Sequence, residues 1–164
     1  MSAEIEIIKV CGAAGYETET IKTDVDLKSI DDASTPRAEA PIEILDEGTA
    51  YSYESWLRFR LKVVPDNKLE NFKIWSEGTD IEVGVIITIN TDAVNTYSTP
   101  SDSESTEGTR DNFKNKGVGS KIDVAGELTG VGDKTDFMVF QLEAASNASP
   151  GDIEDTVNFS YDES

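Results

Sequence analysis

Residues 57–63 of this chain alternate strictly: Leu57, Phe59, Leu61 and Val63 on one side, Arg58, Arg60 and Lys62 on the other. A helix has no use for that period. A strand with one buried face requires it. The same period recurs at both ends. Ile5 and Ile7 alternate with Glu4 and Glu6 in the opening segment 4–10, and Val157, Phe159 and Tyr161 alternate in the closing one. Between them, 41–45, 72–75, 81–89, 121–128 and 136–144 read as strands. Asp46-Glu47-Gly48, Pro65-Asp66-Asn67, Ser76-Glu77-Gly78 and Ala148-Ser149-Pro150-Gly151 are turn signals. Val85-Ile86-Ile87 is apolar on both sides, which places its strand centrally. No segment holds a 3.6-residue apolar period over three turns. About eight antiparallel strands with turn punctuation predict an all-β sandwich, jelly-roll-like, in a single domain over 1–164.

Two stretches fit this pattern poorly. Residues 16–32 alternate weakly and predict one or two exposed strands or an extended arm, the arm spanning 11–40. Residues 98–120 open with Ser98-Thr99-Pro100-Ser101-Asp102-Ser103-Glu104-Ser105-Thr106-Glu107-Gly108, which holds no large apolar side chain. Such a loop cannot repay its ordering entropy by burial, so it is expected to be exposed and to order against a neighbour.

Charge narrows the partners. Asp and Glu number 33, Lys and Arg 14, for a net charge of −19. Phosphate backbones and anionic membranes repel such a surface, so no nucleic acid and no membrane is expected as a partner. High solubility, a basic partner or concentrated salt would suit it, although lysine outnumbers arginine, against a salt-adapted source. The start, Met1-Ser2-Ala3-Glu4, lacks the basic and apolar regions of a signal peptide, so synthesis in the cytosol is expected. No apolar run approaches the ~20 residues that span a bilayer.

Chemistry is sparse. There is no histidine and one cysteine, Cys11. That removes the commonest general base and the usual zinc ligands, and it rules out an intrachain disulfide. Acids are so numerous that pairs such as Asp46/Glu47 and Glu104/Glu107 arise by chance, and no catalytic residue is assigned. No cofactor is expected. Calcium is the one ligand the acids suit, through Asp24, Asp26, Asp31 and Asp32, although solvated surface acids explain these as well. Trp56 is out of phase with Leu57 and shares a face with Arg58, Arg60 and Lys62. In so acidic a chain, that strip reads either as a contact surface for an acidic partner, including another copy of the chain, or as a sheet face salt-bridged to neighbouring strands. Trp56, Trp75 and Tyr97, with Tyr51 and Tyr53, could also form an aromatic platform for sugars.

Several blocks carry a family likeness. They are Tyr51-Ser52-Tyr53-Glu54-Ser55-Trp56, Phe72-Lys73-Ile74-Trp75-Ser76, Tyr97-Ser98-Thr99-Pro100 and Thr135-Asp136-Phe137-Met138-Val139-Phe140-Gln141-Leu142. The turn Ala148-Ser149-Pro150-Gly151 and the close Phe159-Ser160-Tyr161-Asp162-Glu163 complete them. Over residues 40–164 the chain resembles small β-rich virion structural proteins of tailed viruses of bacteria and archaea. The resemblance implies a non-enzymatic decoration or head-accessory protein, assembled in the host cytoplasm and carried on the virion. It implies binding to the major capsid protein or other virion proteins, and a homo-oligomer. A tail or baseplate component and a surface-adhesion or carbohydrate-binding module are the alternatives.

Overall fold

The computed structural model describes residues 2–79 and 81–164. Its strands are β1 (Glu4–Cys11), β2 (Thr18–Ile21), β3 (Thr49–Tyr51), β4 (Ser55–Val63), β5 (Leu69–Ser76), β6 (Val85–Asn90), β7 (Arg110–Asn112), β8 (Ile122–Val124), β9 (Met138–Ala145) and β10 (Val157–Glu163). The only helices among the described residues are two short 3-10 turns, Arg37–Glu39 and Phe113–Asn115. One sheet has the order β2-β1-β4-β9-β6-β7, with β3 also on β9; the other has the order β10-β5-β8. Every pairing is antiparallel. The all-β architecture expected from the alternation is the one the chain adopts.

Alternation decides which face of each strand is buried. Register places Ile5, Ile7 and Lys9 opposite Leu61, Phe59 and Leu57, all on the inner face of the large sheet. Phe72 and Ile74 of β5 lie opposite Val124 and Ile122 of β8. Together with Leu69, Met138, Phe140, Ile89, Phe113 and Leu128 they form the core between the sheets. Phe59 stacks on Phe72 with ring centroids 5.4 Å apart, joining the layers. Gly126, at φ +145°, lets the chain before β9 come close. A Cβ there would sit 2.9 Å from Thr135 Cα.

Three expectations are corrected. Residues 41–45 form no strand. Pro41 lacks an N–H, no partner strand lies alongside, and Ile42 is held by side-chain packing against the Val85–Leu142–Ala144 cluster. The strand expected over 81–89 begins only at Val85, and Val83 is exposed. The loop after residue 98 orders against its own domain. The connection 91–109 lies over the outer face of the large sheet, where the segment contains no strand but makes buried contacts. The segment 22–40 likewise returns to its own sandwich, with Lys22 N–H donating to Ile7, Ser29 N–H to Ala40 and Tyr53 N–H to Lys28.

Candidate functional site

The basic strip on β4 faces acids supplied by β1 and β2. Glu6 lies directly opposite Arg60 in register, and its Oε1 accepts from Arg60 Nε at 2.7 Å. Glu19 on β2 is the hub. It takes Arg58 at 2.5 Å, Lys134 at 2.7 Å and Arg60 at 3.6 Å. Burial works to raise the Glu19 carboxyl, but the hydrogen bonds and charges of Lys134 and Arg58 outweigh it and hold it below its ordinary value. Lys62 pairs with Glu4 at 3.1 Å, both half-exposed. Of the two readings the sequence left open, the contacts within the chain make the salt-bridged one.

Trp56 is not part of a surface, which corrects the expectation of an indole beside the strip. The large sheet is buried on both faces at this end, so being out of phase with Leu57 does not mean exposure. Trp56 is 0% exposed. It sits in a second cluster with Val10, Val94, Phe137 and Val139. Tyr97 and Phe137 meet its ring edge-on, each at 5.1 Å. Its N–H donates to the buried Glu54 carboxylate at 3.0 Å. Arg58 lies over the Phe137 ring at 4.5 Å, a cation–π lid on this cluster. The aromatic platform is therefore not assembled. Tyr97 is committed to Trp56 and donates its hydroxyl to the Gly12 carbonyl at 2.7 Å. Trp75 stands apart on the small sheet under the Lys121 ammonium, 3.8 Å from its ring.

The four acids considered for calcium do not converge. Lysine ammoniums stand where a cation would. The apolar alternation of β1 changes phase at Ile7-Ile8, which puts Lys9 on the inner face at the end of the sandwich. Lys9 Nζ there donates to Asp26 Oδ2 at 3.0 Å and to the carbonyls of Asp26 and Asp32 at 3.2 Å. Lys28 Nζ takes Asp26 Oδ2 at 3.1 Å, Asp32 Oδ1 at 2.9 Å and the Thr35 carbonyl at 2.7 Å. Each ammonium thus has a partner for all three of its protons. Lys22 adds a fourth contact to Asp26, at 3.4 Å. Burial pushes Asp26 up, but the Lys9 and Lys28 bonds prevail and hold it below its ordinary value. The Thr35 hydroxyl, then Lys28, hold Asp32 well below the carboxylate range. Asp24 faces Arg37 at 3.6 Å near the surface, and Asp31 accepts the Gly12 N–H at 2.8 Å. Among the described residues no group of three or more acids, cysteines or histidines is arranged to hold a metal. The adjoining Cys11 thiol is buried, which pushes it up to about 11 and leaves it protonated at neutral pH.

Sequence reasoning passed over Gln141, whose signal was a lone amide inside the apolar run 137–142. Fully buried on the outer face of β9, it holds the polar loop by its backbone. Its Nε2 donates to the carbonyls of Ser52 at 2.9 Å and Ser103 at 2.7 Å, and its Oε1 accepts the Ser105 N–H at 2.8 Å. Glu54 adds a reciprocal pair with Ser101, N–H to carbonyl at 2.9 Å and Ser101 N–H to carboxylate at 3.2 Å. Replacing Gln141 by leucine should cost about 1–3 kcal/mol, because three backbone groups lose their partner, those of Ser52 and Ser105 in buried bonds. Hydrogen exchange should then show faster exchange across 101–107 and little change in β5. Unchanged exchange in that loop would refute the anchoring role.

A depression of about 320 Å³, open to solvent, lies between the β1–β2 turn and residues 31–34. Near the Gln141 anchor, Glu143 is raised by burial and by Glu104, and burial brings the nearby Arg110 down to about 10. Arg110 is spent on the Val139 carbonyl, at 2.5 Å, and the Thr88 hydroxyl, at 2.9 Å. Compared with protein-family models, with curated proteins and with solved structures, the chain has no match.

Proposed function

We propose that this chain is a non-enzymatic structural protein of a tailed-virus particle, most simply a decoration or head-accessory protein on the outer capsid surface. The observation that carries the reading is the way the surface is built. The loop that covers the large sheet is hooked to buried Gln141 and Glu54, and the arm that closes its end is clamped by buried lysines. Polar side chains that elsewhere assemble reactive sites are here spent on holding loops rigid. A rigid, loop-clad sandwich of net charge −19 stays soluble, is repelled by packaged DNA, and suits an outward-facing lattice position. The sugar-binding alternative loses support because Trp56 and Tyr97 face inward.

Gradient-purified particles of the encoding virus, quantified by mass spectrometry, test this directly. The chain should co-migrate with the major capsid protein in many copies per particle. Its absence from intact particles would remove the proposal.

A further inference from the structure

Sheet edges are unequal in this fold. The large sheet ends in β2, four residues long, and β7, three; the small sheet ends in β8, three residues, and β10, seven. Short edges deny a second chain a template. β10 is the long edge, and its charges, Asp162 and Glu163, fall at its end, where Glu163 Oε1 accepts the Ala3 N–H at 3.1 Å. The strand contains neither proline nor lysine. The register shift in its pairing lies on the β5 side, where Lys73 to Glu70 takes three steps against two from Ser160 to Asp162. Asn71 absorbs it at φ +55° and donates to Asp162 Oδ2 at 2.8 Å. β10 therefore runs regularly, and among the described residues β5 is its one strand partner.

Side chains along β10 define what the edge would take. Val157, Phe159 and Tyr161 continue the inner row of the small sheet. Phe159 rests on Phe59 at 5.2 Å yet remains 42% exposed, at the seam where an added strand would cover it. Residues 150–164 hold Asp152, Glu154, Asp155, Asp162 and Glu163, with no lysine or arginine. Asp162 and Glu163 lie on β10 itself and the other three in the segment leading to it, so a second copy would bring like charge to the same edge.

We propose that the free edge of β10 is a strand-addition site for an extended, cationic segment of another protein. Apolar residues at alternate positions of that segment would cover Phe159. Backbone hydrogen bonds would supply affinity, and the alternating apolar and basic side chains selectivity. The inference is independent of the virion reading.

Exchange of the full-length protein's amides tests it, with two capped peptides of about eight residues as probes, one alternating lysine with valine and one lysine with glycine. The lysine–valine peptide should slow exchange within 157–163 by about tenfold or more at physiological salt, and the lysine–glycine peptide should not. Asp162→Lys with Glu163→Lys should weaken lysine–valine binding about tenfold or more while the exchange of β4 and β9 stays unchanged. No protection, protection centred elsewhere, or equal protection by both peptides would overturn the proposal. So would protection that rises with protein concentration alone, which would make a second copy the occupant.

Discussion

Replacing Asp26 by asparagine should lower the free energy of unfolding by about 3–5 kcal/mol, because two ammoniums then remain buried without their shared carboxylate. Lys9 and Asp26 are 2% and 4% exposed, and Lys28 is 1% exposed, so water offers little relief. Asparagine is the right probe. Asp26 sits at φ +57°, a region asparagine also tolerates, so the substitution removes charge and leaves the backbone content. Urea unfolding at pH 7 measures the loss, and a change below about 1 kcal/mol would show that the clamp does not stabilise the end of the sandwich. Adding Lys9→Met and Lys28→Met to the asparagine variant should recover most of the stability, since apolar side chains of similar length carry no desolvation cost.

The sign of the pH dependence follows from the same cluster. Asp26 and Asp32 are held below their ordinary values, so their contribution is complete above the unfolded aspartate value of about 4 and is lost as pH falls through the folded ones. Lys28 runs the other way. Burial would lower it, but Asp32 and Asp26 raise it, so its contribution is complete below about 10.4 and is lost as pH rises through the folded value. The clamp should therefore hold at full strength from about pH 5 to 10. Asp26→Asn should flatten the acid limb of the urea midpoint.

Trp56→Ala is the second large expected effect, at about 3–5 kcal/mol, the cost of emptying a fully buried indole site. Two edge-on aromatic contacts and the indole bond to Glu54 go with it. Trp56→Phe should keep the packing and lose about 1–3 kcal/mol, because Glu54 Oε2 loses one of its two donors and keeps only the Ser101 N–H. Trp75→Ala should cost about 1 kcal/mol or less, because a half-buried ring loses only rim packing and one cation–π contact. Fluorescence separates the two tryptophans: acrylamide should quench Trp75 and leave Trp56 emission in place. A Trp56→Ala protein of unchanged stability that had lost the ability to self-associate would restore the surface role.

Period-two alternation was enough to locate β4 and β10 and the inner row Leu57, Phe59 and Leu61, because side-chain direction along a strand is local geometry. Turn residues marked most of the boundaries for the same reason. Partner choice was not legible. Arg58 and Arg60 could be seen as a basic strip, but that Glu6 and Glu19 would neutralise it depended on the register of β1 and β2 against β4. The four acids Asp24, Asp26, Asp31 and Asp32 looked like cation ligands until folding brought Lys9 from β1 to Asp26 and turned the neighbouring Lys28 onto Asp26 and Asp32.

The amino-acid sequence by itself determined an all-β chain, the strands that face the core, and a net charge of −19. Each of these depends on residue type and on spacing over a few positions. Only the tertiary structure decided that the outer face of the large sheet would also be covered, which turned Trp56 into core and made Gln141 the anchor of a polar loop. Coverage depends on where a segment many residues away comes to rest, and alternation carries no record of that distance.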